Sequence, residues 1–480
     1  MSKFQQIAQQ MQQQIEAGVW QPGDKLPSLR AQSELLQVSL MTVMNAYTLL
    51  ESQGWITSRP QSGYYVAPGL PRQAAAVRHS EQTDTNRFVF DVLQACRDPQ
   101  IVPFGSAFPD PELFPMRALM RSLGDVSRHL TVGDAIDNLP PGNVELRKIL
   151  ARRYTRQGTL VSPDDIVITN GAMDALNLSL QAVTEPGDWV IIESPAFYGA
   201  LQAIERLKLK ALAIPALPGE GIDLLRLEQA LQRWPVKACW LMTSHQNPLG
   251  YTLSAERKQQ LVSLLAENQV ALIEDDVYAS LWEGEQPPLP ALAWDKEGTV
   301  LHCGSFSKDL VAGFRVGWVV TRAHALRVQQ LQLMSTLSVS TPIQLALVSF
   351  LESQHYDQHL KRLRRQLVSR KKLAIAALKR ALPGEAVIHA DHGGYFLWIE
   401  LPAGMDSTLL YHQALQKGIS IAPGELFSAS RQHRHCFRFN AAWPWDQRAE
   451  QAVTILGELI SDQLHRTPQI VAALRPPQAR

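Results

Sequence analysis

Cysteine is scarce in this chain. Its four cysteines, Cys96, Cys239, Cys303 and Cys436, lie far apart in 480 residues. That spacing excludes a disulfide framework and a paired-cysteine metal or redox motif, and it suits a reducing cytoplasm. Charge of one sign is lacking too. The formal net charge is +1, so a nucleic-acid or membrane partner must be argued from a local patch and not from the whole chain. No apolar run approaches the length of a membrane span. The stretch MSKFQQIAQQMQQQ is polar where a secretory leader has an apolar centre. No GxxxxGKS/T stretch occurs, which excludes a P-loop. What is present, 45% hydrophobic and 19% charged residues, fits a soluble globular protein with length enough for roughly three ordinary domains.

The first segment reads as three short helices and a hairpin. Phe4, Ile7, Met11 and Ile15 recur on one helical face among glutamines. Pro22-Gly23 turns the chain. Ser28 and Ser39 stand where they can cap two further helices, SLRAQSELLQ and LMTVMNAYTLLESQ, the second stopping at Gly54. WITSRPQSGYYV then supplies two β-prone runs around Pro60 to Gly63. This order is a winged helix-turn-helix, whose third helix enters the major groove of DNA and whose hairpin touches the backbone or the minor groove.

The stretches GDKLPSLR, VSLMTVMNAYTLLESQGWI and SRPQSGYYV make this segment resemble the DNA-binding domain of GntR-type bacterial regulators. The resemblance implies a double-stranded DNA operator, with Arg30, Thr42, Asn45 and the wing around Arg59 and Gly63 facing DNA, and Lys25 and Ser28 at phosphates. The chain departs from the family at Leu40, where arginine is usual, and near Met44, where a basic residue is common. Lys3, Lys25, Arg30 and Arg59 are balanced by Glu16, Asp24, Glu34 and Glu51, so the segment carries no net charge. The domain is expected over 1–68. Residues 69–86, without periodicity or aromatic side chains, read as a linker, and 466–480 as a loose tail.

Beyond the linker, apolar runs alternate with amphipathic helices. DIVITN, DWVIIE, KACWLM, VALIED, TVLHC and VGWVV are short and almost continuously apolar. Strands covered on both faces look like this, which predicts an α/β domain with a mostly parallel sheet. Ligands of such sheets sit at the C-terminal ends of the strands. Polar residues collect there: Asn170-Gly171, Glu193, His245 to Gly250, Asp275-Asp276, and Ser305 to Lys308. A smaller α+β part follows, with helices near 355–381 and 407–417 and strands near GYFLWIEL and CFRFN. The whole second domain is expected over 87–465, its large part about 130–350 and its small part about 352–465.

Lys308 follows the run TVLHC. A lysine desolvated there loses basicity, and its amine becomes a nucleophile toward an aldehyde. Its company narrows the reading. Asp275 ends a buried run, where a bare carboxylate is costly without a partner; a pyridinium nitrogen would pair it and act as an electron sink. Tyr278 and Asn247 could donate to a phenolate oxygen on such a ring, and Phe197 could stack on it. Gly171, Ala172 and Met173 open a helix whose free N–H groups suit a phosphate, and Ser305, Ser307 and Arg315 could add contacts to it. Together these parts describe pyridoxal 5′-phosphate.

TNGAMDALNL, ESPAFYGAL, HQNPLG, EDDVYASL and SFSKDLVAGFRVGW make residues 87–465 resemble fold-type I aminotransferases. The resemblance implies that Lys308 forms an internal aldimine with the cofactor and that Asp275 pairs the ring nitrogen. Asn247 and Tyr278 hold its 3-oxygen, while Ser305, Ser307 and Arg315 bind phosphate. Arg438 in CFRFN matches the arginine that grips a substrate α-carboxylate. A tyrosine that the family often supplies to the neighbouring subunit's phosphate is replaced by Asp137 and Asn138.

A GntR-like winged helix joined to such a domain is the architecture of MocR-type regulators. That implies a cytoplasmic homodimer on paired half-sites in which an amine or amino-acid effector reacts at Lys308 and biases DNA affinity. The alternative is a working aminotransferase with an accessory N-terminal module, since fold and site do not fix function; a weaker third reading is a dimer platform without cofactor. No metal site is expected: HRHC at 433–436 reads as strand polarity, and Asp276 as a structural hydrogen-bond acceptor.

Overall fold

The computed structural model describes residues 3–16, 19–59, 62–67, 85–136, 139–217, 219–353 and 355–473. Most of the expected linker, the Asp137-Asn138 pair and the last seven residues lie outside these. The chain divides into two compact units, Met1–Gln82 and Thr83–Arg480.

In the first unit the helices run Lys3–Glu16, Leu29–Leu36 and Leu40–Ser52, and the strands Ile56–Arg59 and Gly63–Val66 pair antiparallel. The two serines cap as their positions predict. Ser28 Oγ accepts from Ala31 N at 3.2 Å and Ser39 Oγ from Thr42 N at 3.2 Å, each satisfying a donor left free at a helix start. The third helix closes through Gly54 at φ +77°, with Gly54 N on Glu51 O and Trp55 N on Leu50 O, both at 2.9 Å. Only glycine takes this left-handed step without strain. Ile7, Met11, Val43, Tyr47, Leu50 and Ile56 form the core, and Phe4 and Ile15 pack at its edge. Tyr47 donates its hydroxyl to Pro27 O at 3.1 Å, tying the third helix to the turn before the second.

In the second unit an eight-stranded sheet has the order Ile166–Thr169, Gly317–Val320, Val300–Ser305, Ala271–Asp275, Val236–Leu241, Trp189–Ser194, Lys210–Leu217, Gly221–Ile222. The five strands from Val300–Ser305 to Lys210–Leu217 run parallel. Gly317–Val320 runs antiparallel to both neighbours; an apolar run carries no mark of direction. The continuous apolar runs are explained by alternation into two cores. Ile191, Leu241 and Leu272 enter one, and Val190, Trp240 and Ile273 the other.

The smaller part carries a sheet of Val387–His389, Phe396–Glu400, Cys436–Asn440 and Ala422–Pro423, with helices His355–Ala381, Ser407–Gln416 and Gln447–Ala473. The last helix takes in 466–473, eight residues that read from sequence as loose tail. A helix Thr85–Ala95 begins within the expected linker and buries Phe88 and Val92 against the smaller part. Among the described residues, no helix is long and apolar enough to cross a membrane.

Candidate functional site

The sheet brings its polar strand ends to one place. Asp275 closes Ala271–Asp275, and Lys308 follows Val300–Ser305 by three residues; Asn247 and Phe197 lie in the loops after Val236–Leu241 and Trp189–Ser194. With Ala172, Met173, Tyr278, Ser305, Ser307 and Arg315 they line one cavity of about 270 Å³. Gly171 and Arg438 stand just behind its wall: Gly171 precedes Ala172, and Arg438 Nη1 donates to Asn247 Oδ1 at 2.7 Å.

Lys308 is 9% exposed. Its Nζ donates to Ala107 O at 2.9 Å and lies 3.6 Å from the centre of the Phe108 ring. Burial, then the nearby Arg438, pushes the amine down to about 7, with Asp275 pulling the other way. A neutral, nucleophilic amine is therefore available near neutral pH. Asp275 is 1% exposed, and burial raises its carboxyl to about 7. Neither charge has found a sufficient partner within the chain.

Three buried polar atoms around the cavity make no hydrogen bond: Asp275 Oδ1, Asn247 Nδ2 and Arg438 Nε. Leaving such an atom unpaired costs about 1–3 kcal/mol, so three in one place point to a polar guest. Arg438 is 1% exposed, not a surface-strand residue. Its Nη2 donates to Gly105 O at 2.7 Å and its guanidinium lies 4.4 Å from the Phe396 ring centre.

At the other end of the cavity the helix Ala172–Val183 starts from Gly171 without a side-chain cap. Gly171 has φ +83°, and a Cβ there would stand 2.5 Å from Arg315 Nη2. A Cβ on Gly317 would stand 2.6 Å from Gly171 C. The cradle therefore requires glycine at both positions. Ser305 Oγ donates to Ser307 Oγ at 2.9 Å, and Arg315 Nη1 to Ser307 Oγ at 3.5 Å. Free helix N–H groups, two hydroxyls and a guanidinium suit a phosphate. An aldehyde-reactive amine, a buried carboxyl with one oxygen unpaired and this cradle fit a phosphorylated pyridine aldehyde.

Sequence reading missed Gly105, Ala107 and Phe108. They act largely through backbone carbonyls and one ring face, so composition gives no signal for them. The HRHC stretch leads into the strand Cys436–Asn440, and His433, His435 and Cys436 border another cavity of about 580 Å³ with His389 and Glu400. His389 Nε2 and His435 Nε2 lie 3.3 and 3.4 Å from the two Glu400 oxygens. Among the described residues, the one group spaced to hold a metal is Glu274, Asp276 and His302. Its Glu274 is already engaged by Thr243 Oγ1, Ala291 N, Leu292 N and His302 Nδ1. Burial opposes the Glu274 charge, yet these partners, His302 first, hold its carboxyl down at about 2. Asp276 keeps an unpaired Oδ1, and burial raises its carboxyl.

In the first unit the sequence-predicted DNA-facing residues Lys25, Ser28, Arg30, Asn45, Arg59 and Gly63 are exposed, and Thr42 is half-buried. The Arg59 guanidinium lies 4.2 Å, and Lys25 Nζ 6.0 Å, from the Tyr65 ring centre, which fixes both cations to the wing. Ser28 Oγ is used as an acceptor by its cap, leaving its O–H free to donate. Thr42 Oγ1 pairs with Ser39 Oγ at 2.8 Å.

The aminotransferase class I and II family matches residues 129–456, and the bacterial regulatory gntR family matches residues 3–66. An uncharacterized HTH-type transcriptional regulator of Escherichia coli (strain K12), YdcR, is 59% identical over 97% of this chain and 100% of its own. Among solved structures, the multiple substrate aminotransferase of Thermococcus profundus aligns at a TM-score of 0.74 with 26% identity, over 83% of this chain and 98% of its own. The kynurenine aminotransferase of Pyrococcus horikoshii, in complex with PMP, aligns at 0.73 with 28% identity, over 82% and 97%.

Proposed function

This chain belongs to the aminotransferase class I and II family and carries a gntR-family domain, the MocR-type arrangement, with pyridoxal phosphate as cofactor; from that premise we propose that it is a cytoplasmic, homodimeric regulator whose DNA affinity responds to an amine or amino acid reacting at Lys308. The observation that carries the reading is the set of unpaired buried atoms facing Lys308, in a chain whose other unit is a winged helix.

When bound, the cofactor supplies a carbonyl that condenses with amines and a ring that accepts electrons. The chain's residues do the rest. Lys308 Nζ would be the attachment point, its basicity lowered by burial. Asp275 would hold the proton on the ring nitrogen, Asn247 Nδ2 and Tyr278 would orient the ring's oxygen, and Phe197 would cover a ring face. Gly171, Ala172, Met173, Ser305, Ser307 and Arg315 fix the phosphate. Arg438, already bonded to Asn247, receives an effector carboxylate on its free Nε. An effector amine would compete with Lys308 Nζ for the cofactor's carbonyl, and Ala107 O and the Phe108 ring hold the Lys308 amine when it is free. A conformational equilibrium of the dimer responds by the effector's differential affinity for its states.

The completeness of the residue set favours a second reading, a working aminotransferase in which freed Lys308 moves a proton. Borohydride reduction followed by peptide mapping tests the shared premise: cofactor mass on the Lys308 peptide is expected, and mass elsewhere or nowhere contradicts it. Rapid amino-group turnover with 2-oxo acids, without selective DNA retention, decides for the enzyme.

A further inference from the structure

The recognition helix Leu40–Ser52 carries no lysine, arginine or glutamine. Large apolar side chains stand exposed at its start instead: Leu40 is 47% exposed, Met41 60% and Met44 38%, with Asn45, Thr48 and Ser52 exposed further along. Its interior side, Val43, Ala46, Tyr47 and Leu50, is fully buried, so the three exposed apolar side chains are surplus to the core. Beside them Asn45 is exposed, and its side-chain amide makes no hydrogen bond among the described residues. The Thr42 hydroxyl is paired with Ser39, so it is engaged within the helix cap. Lys25 and Arg59 converge on Tyr65 of the wing, and Arg30 lies exposed on the preceding helix. The basic groups of this unit therefore lie off the recognition helix and leave no cation on it; its one charged residue, Glu51, is half-buried and accepts from Ser58 N at 2.7 Å.

Each base pair offers distinct chemistry in the major groove. Guanine is read by arginine or lysine at O6 and N7, adenine by asparagine at N6 and N7, and thymine by apolar contact with its methyl group. A helix without a cation has no strong guanine reader. Leu40, Met41 and Met44 match thymine methyls, and Asn45 matches adenine. Resting on the reading of this unit as a DNA-binding domain, we infer that the recognition helix reads A·T pairs only. Its half-sites present thymine methyls to Leu40, Met41 and Met44 and adenine to Asn45, while Lys25, Arg30 and Arg59 hold phosphates around them.

The test uses full-length protein saturated with pyridoxal phosphate to select from a random duplex library at one salt concentration. The expected result is a repeated half-site with A·T pairs at its read positions. Replacing its thymines by deoxyuridine, which removes the methyl alone, weakens affinity about four-fold per contacted methyl. Leu40→Arg moves one read position toward G·C, with circular dichroism showing the helices intact. Selected half-sites with G·C at the read positions, or no response to deoxyuridine, overturn the inference while leaving the regulator reading standing. Recovery of no DNA at all overturns the regulator reading and this inference with it. If Leu40→Arg changes self-association but not the selected sequence, the apolar surface serves a protein contact and the inference fails.

Discussion

The two units use polar chemistry in opposite ways. Around Lys308 the reactive groups are hidden: Lys308, Asp275 and Arg438 are 9%, 1% and 1% exposed. Desolvation brings the amine and the carboxyl from opposite ends of the scale to about 7. On the winged helix no lysine, arginine, aspartate or glutamate is buried among the described residues. The residues expected to face DNA, Arg30, Asn45 and Arg59, stand in water, while large apolar side chains share the surface. Chemistry on a small molecule needs water excluded, because only then do unpaired charges bind and react strongly. Reading a duplex needs exposed groups at fixed spacing, and a rigid core behind them does the positioning.

The comparison can be broken by changes confined to one unit. Lys308→Ala should abolish the visible band of the bound cofactor altogether, leaving the winged helix folded by circular dichroism; a band unchanged in the variant refutes the assignment. Leu50→Ala empties the centre of the small core at a cost of about 2–5 kcal/mol. Retention assays should show selective DNA binding lost, and absorbance should show the band kept. Asp275→Asn removes the ring's counter-charge at a cost of about 3 kcal/mol, so titration of apoprotein should give a cofactor affinity on the order of 100-fold weaker. Arg30→Ala should weaken DNA on the order of ten-fold without moving the band. The smallest effect concerns pH. Because burial lowers the Lys308 pKa from its ordinary value to about 7, half of the amine is neutral at that pH and the neutral form saturates about one to two pH units higher. Stopped-flow cofactor uptake by apoprotein should level off there, and a rate still climbing toward pH 10 contradicts the desolvated amine.

The same contrast governs what the sequence discloses. The winged helix is legible from local signals, since Ser28, Ser39 and Gly54 mark helix ends through chemistry that acts over a few residues. The cofactor cavity is legible because a charge ending an apolar run, as Asp275 does, demands a partner. Strand direction is not, and Gly317–Val320 reads like its parallel neighbours until its hydrogen bonds are seen. The Gly105 to Phe108 loop is silent too: Arg438 is 333 residues away from the carbonyl it bonds, and a backbone acceptor leaves no residue signature. Gln447–Ala473 continues through 466–473, which read from sequence as loose tail, and its N-terminal part is anchored by Val453, Leu456 and Ile460 in the smaller part's core.

The central claim is that chemistry at Lys308 and DNA binding by the winged helix belong to one coupled equilibrium. Operator retention by cofactor-loaded protein, measured with and without a panel of amino acids at fixed salt, tests it most directly. The account predicts that at least one amino acid shifts the affinity by about 5–150-fold in the wild type and has no effect in Lys308→Ala. An affinity unmoved by any amino acid that demonstrably changes the cofactor's absorption would contradict it.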